Sequence, residues 1–127
     1  TVDRLEPEVG ERLVVTGFCF GGTYAFQLAV ADPRIRASVP FYGRPPQPEQ
    51  MASIGCPVLG VYGQHDPTIV DGLPEVTRQM VEAGVAFETI VYPDAGHAFF
   101  NDTGPRYRAD DAADAWVRAT EFLRAHV

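Results

Sequence analysis

Residues 14 to 22 read Val14-Val15-Thr16-Gly17-Phe18-Cys19-Phe20-Gly21-Gly22, and the reading of this stretch decides the fold. Residues 12 to 18 form a short, β-branched apolar run that suits a strand buried on both faces. Gly21 and Gly22 then open a segment of helix formers that ends at Asp32-Pro33. A strand that passes so directly into a helix leaves room for only a tight turn, and Cys19 stands at that turn. Such a turn imposes strained backbone angles on its central residue and projects the side chain above the sheet. A thiol there also lies at a helix N-terminus, where partial positive charge favours the thiolate.

Strand and helix go on alternating downstream. A second strand is expected at about Ala37 to Tyr42, followed by a proline-rich loop from Gly43 to Gly55 with at most one turn of helix. Residues 57 to 63 make the clearest strand, closing at Gln64-His65-Asp66-Pro67. Pro74 suits the first turn of a helix in which Val76, Met80 and Ala83 share a face and Gly84 supplies the stop. A fourth strand at about Phe87 to Tyr92 leads into a loop with Asp94, Gly96 and His97. The last helix spans about Ala109 to Ala125, with Ala112, Trp116, Ala119 and Leu123 at the spacing of a buried face. Helices between strands imply right-handed crossovers and an α/β fold with a mainly parallel sheet and flanking helices. Residues 1–127 read as a single domain without repeat or linker.

Composition narrows the function. The chain carries ten basic against seventeen acidic residues, a formal charge of −7, and no basic stripe, which argues against nucleic acid or an anionic membrane as partner. Every basic residue is Arg, so lysine Schiff bases and phosphate-loop lysines are excluded. No apolar run approaches the ~20 residues of a membrane span, and no signal segment is evident. Cys19 and Cys56 form neither a disulfide framework nor a zinc pattern, so a cytoplasmic setting is expected. No metal and no cofactor is called for.

In parallel sheets, function gathers at the carboxyl ends of the strands. Three reactive side chains follow strands directly: Cys19 after the first, Asp66 after the third and His97 after the fourth. Nucleophile, acid, histidine is the chain order of a hydrolase triad on such a sheet. Gly17-Phe18-Cys19-Phe20-Gly21 fits the nucleophile elbow G-x-S-x-G with cysteine as nucleophile. His97 would move the proton, Asp66 would orient it, and the Phe20 N–H would donate to the oxyanion. Taken singly, each has a plainer reading: a buried thiol, a loop histidine, a turn aspartate before Pro67. Their order and placement favour the catalytic one. Cys56 reads as a small core residue, and His65 and His126 as no ligands. Asp110, Asp111 and Asp114 are expected to complement a helix N-terminus on a solvated face.

The motifs G-F-C-F-G-G (residues 17–22), G-x-x-D-P (63–67) and A-G-H-A-F-F (95–100) together resemble the dienelactone hydrolase, or carboxymethylenebutenolidase, family. The resemblance runs from about Arg12 to the C-terminus. It implies an α/β-hydrolase-like fold and a Cys19, Asp66, His97 triad. It implies too a site lined by Tyr42, within Phe41-Tyr42-Gly43, with Phe18 and Phe99 as further substrate-binding candidates. Members of the family also have an N-terminal half that supplies the first strands and a second oxyanion donor. With those strands absent, the strand at residues 12–18 becomes an edge, expected to pair with a second copy or with an upstream segment. Members acting on dienelactone bind the substrate carboxylate with arginines, and residues 99–102, Phe-Phe-Asn-Asp, hold none. The leading expectation is a thiol-dependent hydrolase of lactones or small carboxylic esters, working through an acyl-enzyme. The rival is a non-catalytic half-hydrolase that folds by association.

Overall fold

Strand β1 (Leu13–Phe18) gives way to helix α1 (Phe20–Ala31) across one residue, Cys19. β2 (Ile35–Phe41), a one-turn helix α2 (Pro48–Met51) and β3 (Val58–Gly63) follow. Next come the short α3 (Pro67–Val70), α4 (Leu73–Glu82), β4 (Phe87–Tyr92) and α5 (Ala109–His126). The computed structural model describes residues 13–18, 20–64, 67–93 and 109–126. Cys19, Asp66, His97 and Phe99 lie outside the described residues, as does the side chain of Phe20.

The strands form one parallel sheet in the order β1-β2-β3-β4. Parallel neighbours need crossovers, and the helices between the strands supply them. All four carboxyl ends therefore lie along one edge of the sheet. Among the described residues β1 stands at the end of the sheet, as expected, with Thr16 and Phe18 exposed.

The sheet is buried between two apolar layers. On one face Phe26 and Ala29 of α1, Met51 of α2 and Met80 of α4 pack over Leu13, Ile35 and Val58. On the other, Ala115 and Ala119 of α5 pack over Val39, Phe41, Leu59 and Val61. Each fully buried large side chain contributes about 1.5–3 kcal/mol relative to exposure. Ser38 is buried too, and its hydroxyl donates to the Ala25 carbonyl (3.0 Å), satisfying it and tying β2 to α1.

The ends of α4 follow the sequence closely. Pro74 sits in its first turn. At the other end Gly84 takes φ +81°, its N–H donates to Val81 O (3.0 Å), and Val85 N–H donates to Met80 O (2.9 Å). That pair of bonds is a Schellman cap, and Val85 and Met80 share the same apolar layer.

Two features differ from the sequence reading, and a third adds to it. Trp116 does not belong to the buried face of α5: it is 49% exposed, and Ala112, Ala115 and Ala119 are the buried positions. Alanines let the helix axis approach the sheet, whereas an indole at the contact would hold it off. The helix α3 had no counterpart in the sequence reading, because a single turn carries too little periodicity. Finally, β2 contains Pro40 although it is interior, where proline is unfavourable. Ser38 N–H donates to Pro57 O (3.1 Å) and Tyr42 N–H to Val61 O (2.7 Å). Pro40, midway between them, has no N–H to give. The β2–β3 ladder accordingly registers only at Ser38 with Val58 and Phe41 with Val61, against six pairs on each outer ladder.

Candidate active site

The junction of β1 and α1 is shaped by backbone packed on backbone. A Cβ placed on Gly17 would fall inside the carbonyl group of Gly21. A Cβ on Gly22 would fall on the Phe41 carbonyl oxygen and 3.0 Å from the Gly43 Cα. A Cβ on Gly43 would in turn strike the Gly22 carbonyl group. Glycine is the residue that permits approaches this close. Gly21 is different: its own Cβ position meets nothing within 4 Å among the described residues. Its backbone is what Gly17 must pass. The first turn of α1 is thus pressed against the ends of both β1 and β2, and Thr23 Oγ1 accepts the Arg44 N–H (3.0 Å) to close the corner.

Phe20 is the first residue of α1, so its N–H has no acceptor within the helix. Phe18, 36% exposed, lays its ring against Phe41 (centroids 4.5 Å apart) and Tyr42 (6.2 Å). Tyr42 itself is buried and adopts φ +40°. A left-handed tyrosine stores roughly 1–3 kcal/mol of strain, the kind of outlier that gathers at functional sites. Its N–H bond to Val61 and its packing in the α5-side layer hold it there.

The strands that precede the three triad candidates end at the same edge of the sheet. β1 ends one residue before Cys19, β3 three residues before Asp66 and β4 five residues before His97.

Cys56 gives a contrast. It is 6% exposed in the layer under α2, and burial pushes its thiol up to about 11. It stays protonated at neutral pH and reads as the small core residue expected of it. Asp114 is exposed, as the solvated-face reading expects, and it has a bonding role besides. It accepts the Tyr92 O–H (2.6 Å) and pairs with Arg118 (2.9 Å), joining the end of β4 to α5. Tyr92 and Asp114 were missed because nothing local marks a pair 22 residues apart. Among the described residues no cluster of three or more His, Cys, Asp or Glu is arranged to hold a metal, and no helix is long and apolar enough to cross a membrane.

The sequence matches the Dienelactone hydrolase family over residues 2–127. The chain belongs to the dienelactone hydrolase family. A provisionally named carboxymethylenebutenolidase of Saccharolobus solfataricus is 44% identical over 115 residues, spanning 90% of this chain and 44% of its own. One of Escherichia coli K12, with the same provisional name, is 40% identical over 126 residues, spanning 91% and 46%. A provisionally assigned dienelactone hydrolase of Klebsiella pneumoniae superposes with a TM-score of 0.84 at 31% identity, over 90% of this chain and 52% of that one. The sheet and its flanking helices are those of the α/β-hydrolase fold. The chain spans about half the length of these dienelactone hydrolase relatives.

Proposed function

We propose that this chain is a thiol-dependent hydrolase of lactones or small carboxylic esters, with Cys19 as nucleophile. The observation that carries this reading is the glycine-built crossing of β1 and α1, which leaves one residue, Cys19, between strand and helix. Such a crossing is costly to build and has its use in presenting a side chain at the carboxyl edge of a sheet. Membership of the family supports the same reaction class.

In the proposed cycle the Cys19 thiolate attacks the carbonyl carbon, and the developing oxyanion takes a hydrogen bond from the Phe20 N–H. Collapse breaks the bond to the alkoxy oxygen, and the His97 imidazolium gives that oxygen its proton, leaving a thioester on Cys19. His97, now neutral and oriented by Asp66, takes a proton from water as it attacks the thioester, and the acid leaves with the thiolate restored. Phe18, Tyr42 and Phe99 would line the acyl side.

The test is initial-rate hydrolysis of p-nitrophenyl acetate by this chain and by Cys19→Ala. The expected outcome is a measurable rate that falls roughly 10⁴-fold or more, to background, without the nucleophile. Equal rates from the two proteins, or none from a folded wild type, would sink the proposal.

A further inference from the structure

We infer that Tyr92 and Asp114 form a positioning clamp for the acid and histidine of this site, holding the chain where the segments bearing Asp66 and His97 leave the sheet. The inference rests on the hydrolase reading above. Tyr92 is the last residue of β4 and is 7% exposed. Its phenol donates to Asp114 Oδ2 at 2.6 Å, and Arg118, one turn further along α5, holds the same carboxylate oxygen at 2.9 Å. The Tyr92 carbonyl accepts the N–H of Gln64, the first residue beyond β3, at 2.9 Å. One residue therefore joins β3, β4 and α5 at the carboxyl edge.

Asp66 stands two residues beyond Gln64, and His97 five beyond Tyr92. The strands that precede both segments, β3 and β4, are held by this clamp. The ring of Tyr92 packs in the layer that holds Phe41 and Tyr42, which in turn meet Phe18 at the β1–α1 junction. A shift of Tyr92 would thus be passed to the ends of β3 and β4, which precede the acid and the histidine in sequence, and to the aromatic layer at the β1–α1 junction. Among the described residues Asp114, Asp111 and Arg118 are charged groups facing the phenol. Burial first, then the bond to Asp114, raises its pKa well above the tyrosine range, so it remains a donor wherever a thiolate enzyme works. The Asp114–Arg118 pair is about half exposed and adds little stability by itself. What it fixes is the direction in which the phenol points.

The experiment is alkylation of Cys19 by iodoacetamide from pH 5 to 9, followed on the Cys19 peptide in the full chain, beside kcat and KM for p-nitrophenyl acetate. A histidine placed beside the thiol favours the thiolate, so His97→Ala should raise the midpoint. Tyr92→Phe and Asp114→Ala should raise it likewise, slowing alkylation at pH 6.5 by about tenfold, a shift of about one pH unit. Asp114→Asn keeps an acceptor for the phenol and should recover most of the wild-type profile. kcat should fall with KM unchanged, since the clamp touches no substrate. Arg118→Gln, at an exposed position, carries the same test should Tyr92→Phe fold poorly. If the clamp variants keep the wild-type midpoint while His97→Ala moves it, the clamp is overturned and the hydrolase reading stands. If His97→Ala also leaves the midpoint in place, there is no thiol–histidine pair to position, and both fall.

Discussion

The two ends of the sheet's carboxyl edge are made tight by opposite means. At the β1–α1 corner, closeness comes from side chains that are missing: Gly17, Gly22 and Gly43 let main chain press on main chain. At the β4–α5 corner it comes from side chains that are present, Tyr92 reaching Asp114 and Asp114 reaching Arg118. Backbone contact cannot give way, because moving one group moves the strand or helix that carries it. A side-chain bond can be cut and leave the fold standing. The first corner should fail by unfolding, and the second by misalignment.

The largest effect is therefore expected at Gly22→Ala. The added methyl meets the Phe41 carbonyl and the Gly43 backbone, neither of which is a flexible side chain. A loss of about 3 kcal/mol or more is expected, a fall of roughly 10 °C or more in Tm for a domain this size. Gly21→Ala is the matched control. Its methyl meets nothing within 4 Å among the described residues, and alanine gains up to about 1 kcal/mol over glycine in a helix. Thermal unfolding of the pair reads the difference directly. Equal losses would mean that the crossing is not what makes the corner tight.

The same contrast explains what could be read in the sequence. The glycine corner is local, so nine consecutive residues announce it, and the order Cys19, Asp66, His97 announces the edge on which it lies. β4 was legible in its approximate bounds, and so was α4 with its Gly84 cap, because capping chemistry is written within a few positions. The tyrosine corner was illegible. Tyr92 and Asp114 meet only because α5 has a particular rotational phase against the sheet. That phase was misjudged at Trp116, where size suggested burial and the small Ala115 took the contact. The interruption at Pro40 was equally hidden, since it depends on which neighbour each N–H of β2 faces.

A smaller effect separates two tyrosines on adjacent strands. Both have pKa values raised by burial, but among the described residues only Tyr92 has a partner for its hydroxyl, in Asp114. Tyr62, on β3, is fully buried with its ring laid over Gly60, and among the described residues its hydroxyl has no hydrogen-bond partner. Removing a buried hydroxyl that bonds nothing returns its desolvation cost. Tyr62→Phe should be neutral or stabilising by up to about 1 kcal/mol, where Tyr92→Phe should cost about 1 kcal/mol. Urea unfolding at constant m-value measures both. A loss above about 1 kcal/mol in Tyr62→Phe would mean that its hydroxyl has found a partner, and that β3 too relies on a polar anchor.

The smallest effect concerns the two cysteines. Cys56 is 6% exposed, and burial raises its thiol from an ordinary 9.0 to about 11. The unfolded chain then ionises first: the stabilisation is complete below pH 9 and drains away as pH rises from 9 towards 11. Tyr62 and Tyr92, raised from an ordinary 10.0, add to the same loss only above pH 10. Stability measured from pH 8 to 10 should therefore slope down in the wild type and more gently in Cys56→Ala, whatever the size of the cavity penalty at pH 8. Labelling at pH 8 should likewise spare Cys56 until denaturant is added, while a thiol at a helix N-terminus reacts in the native chain. Rapid native labelling of Cys56 would mean that the layer under α2 opens readily, and any difference between the two thiols would then report local opening rather than the turn that presents Cys19.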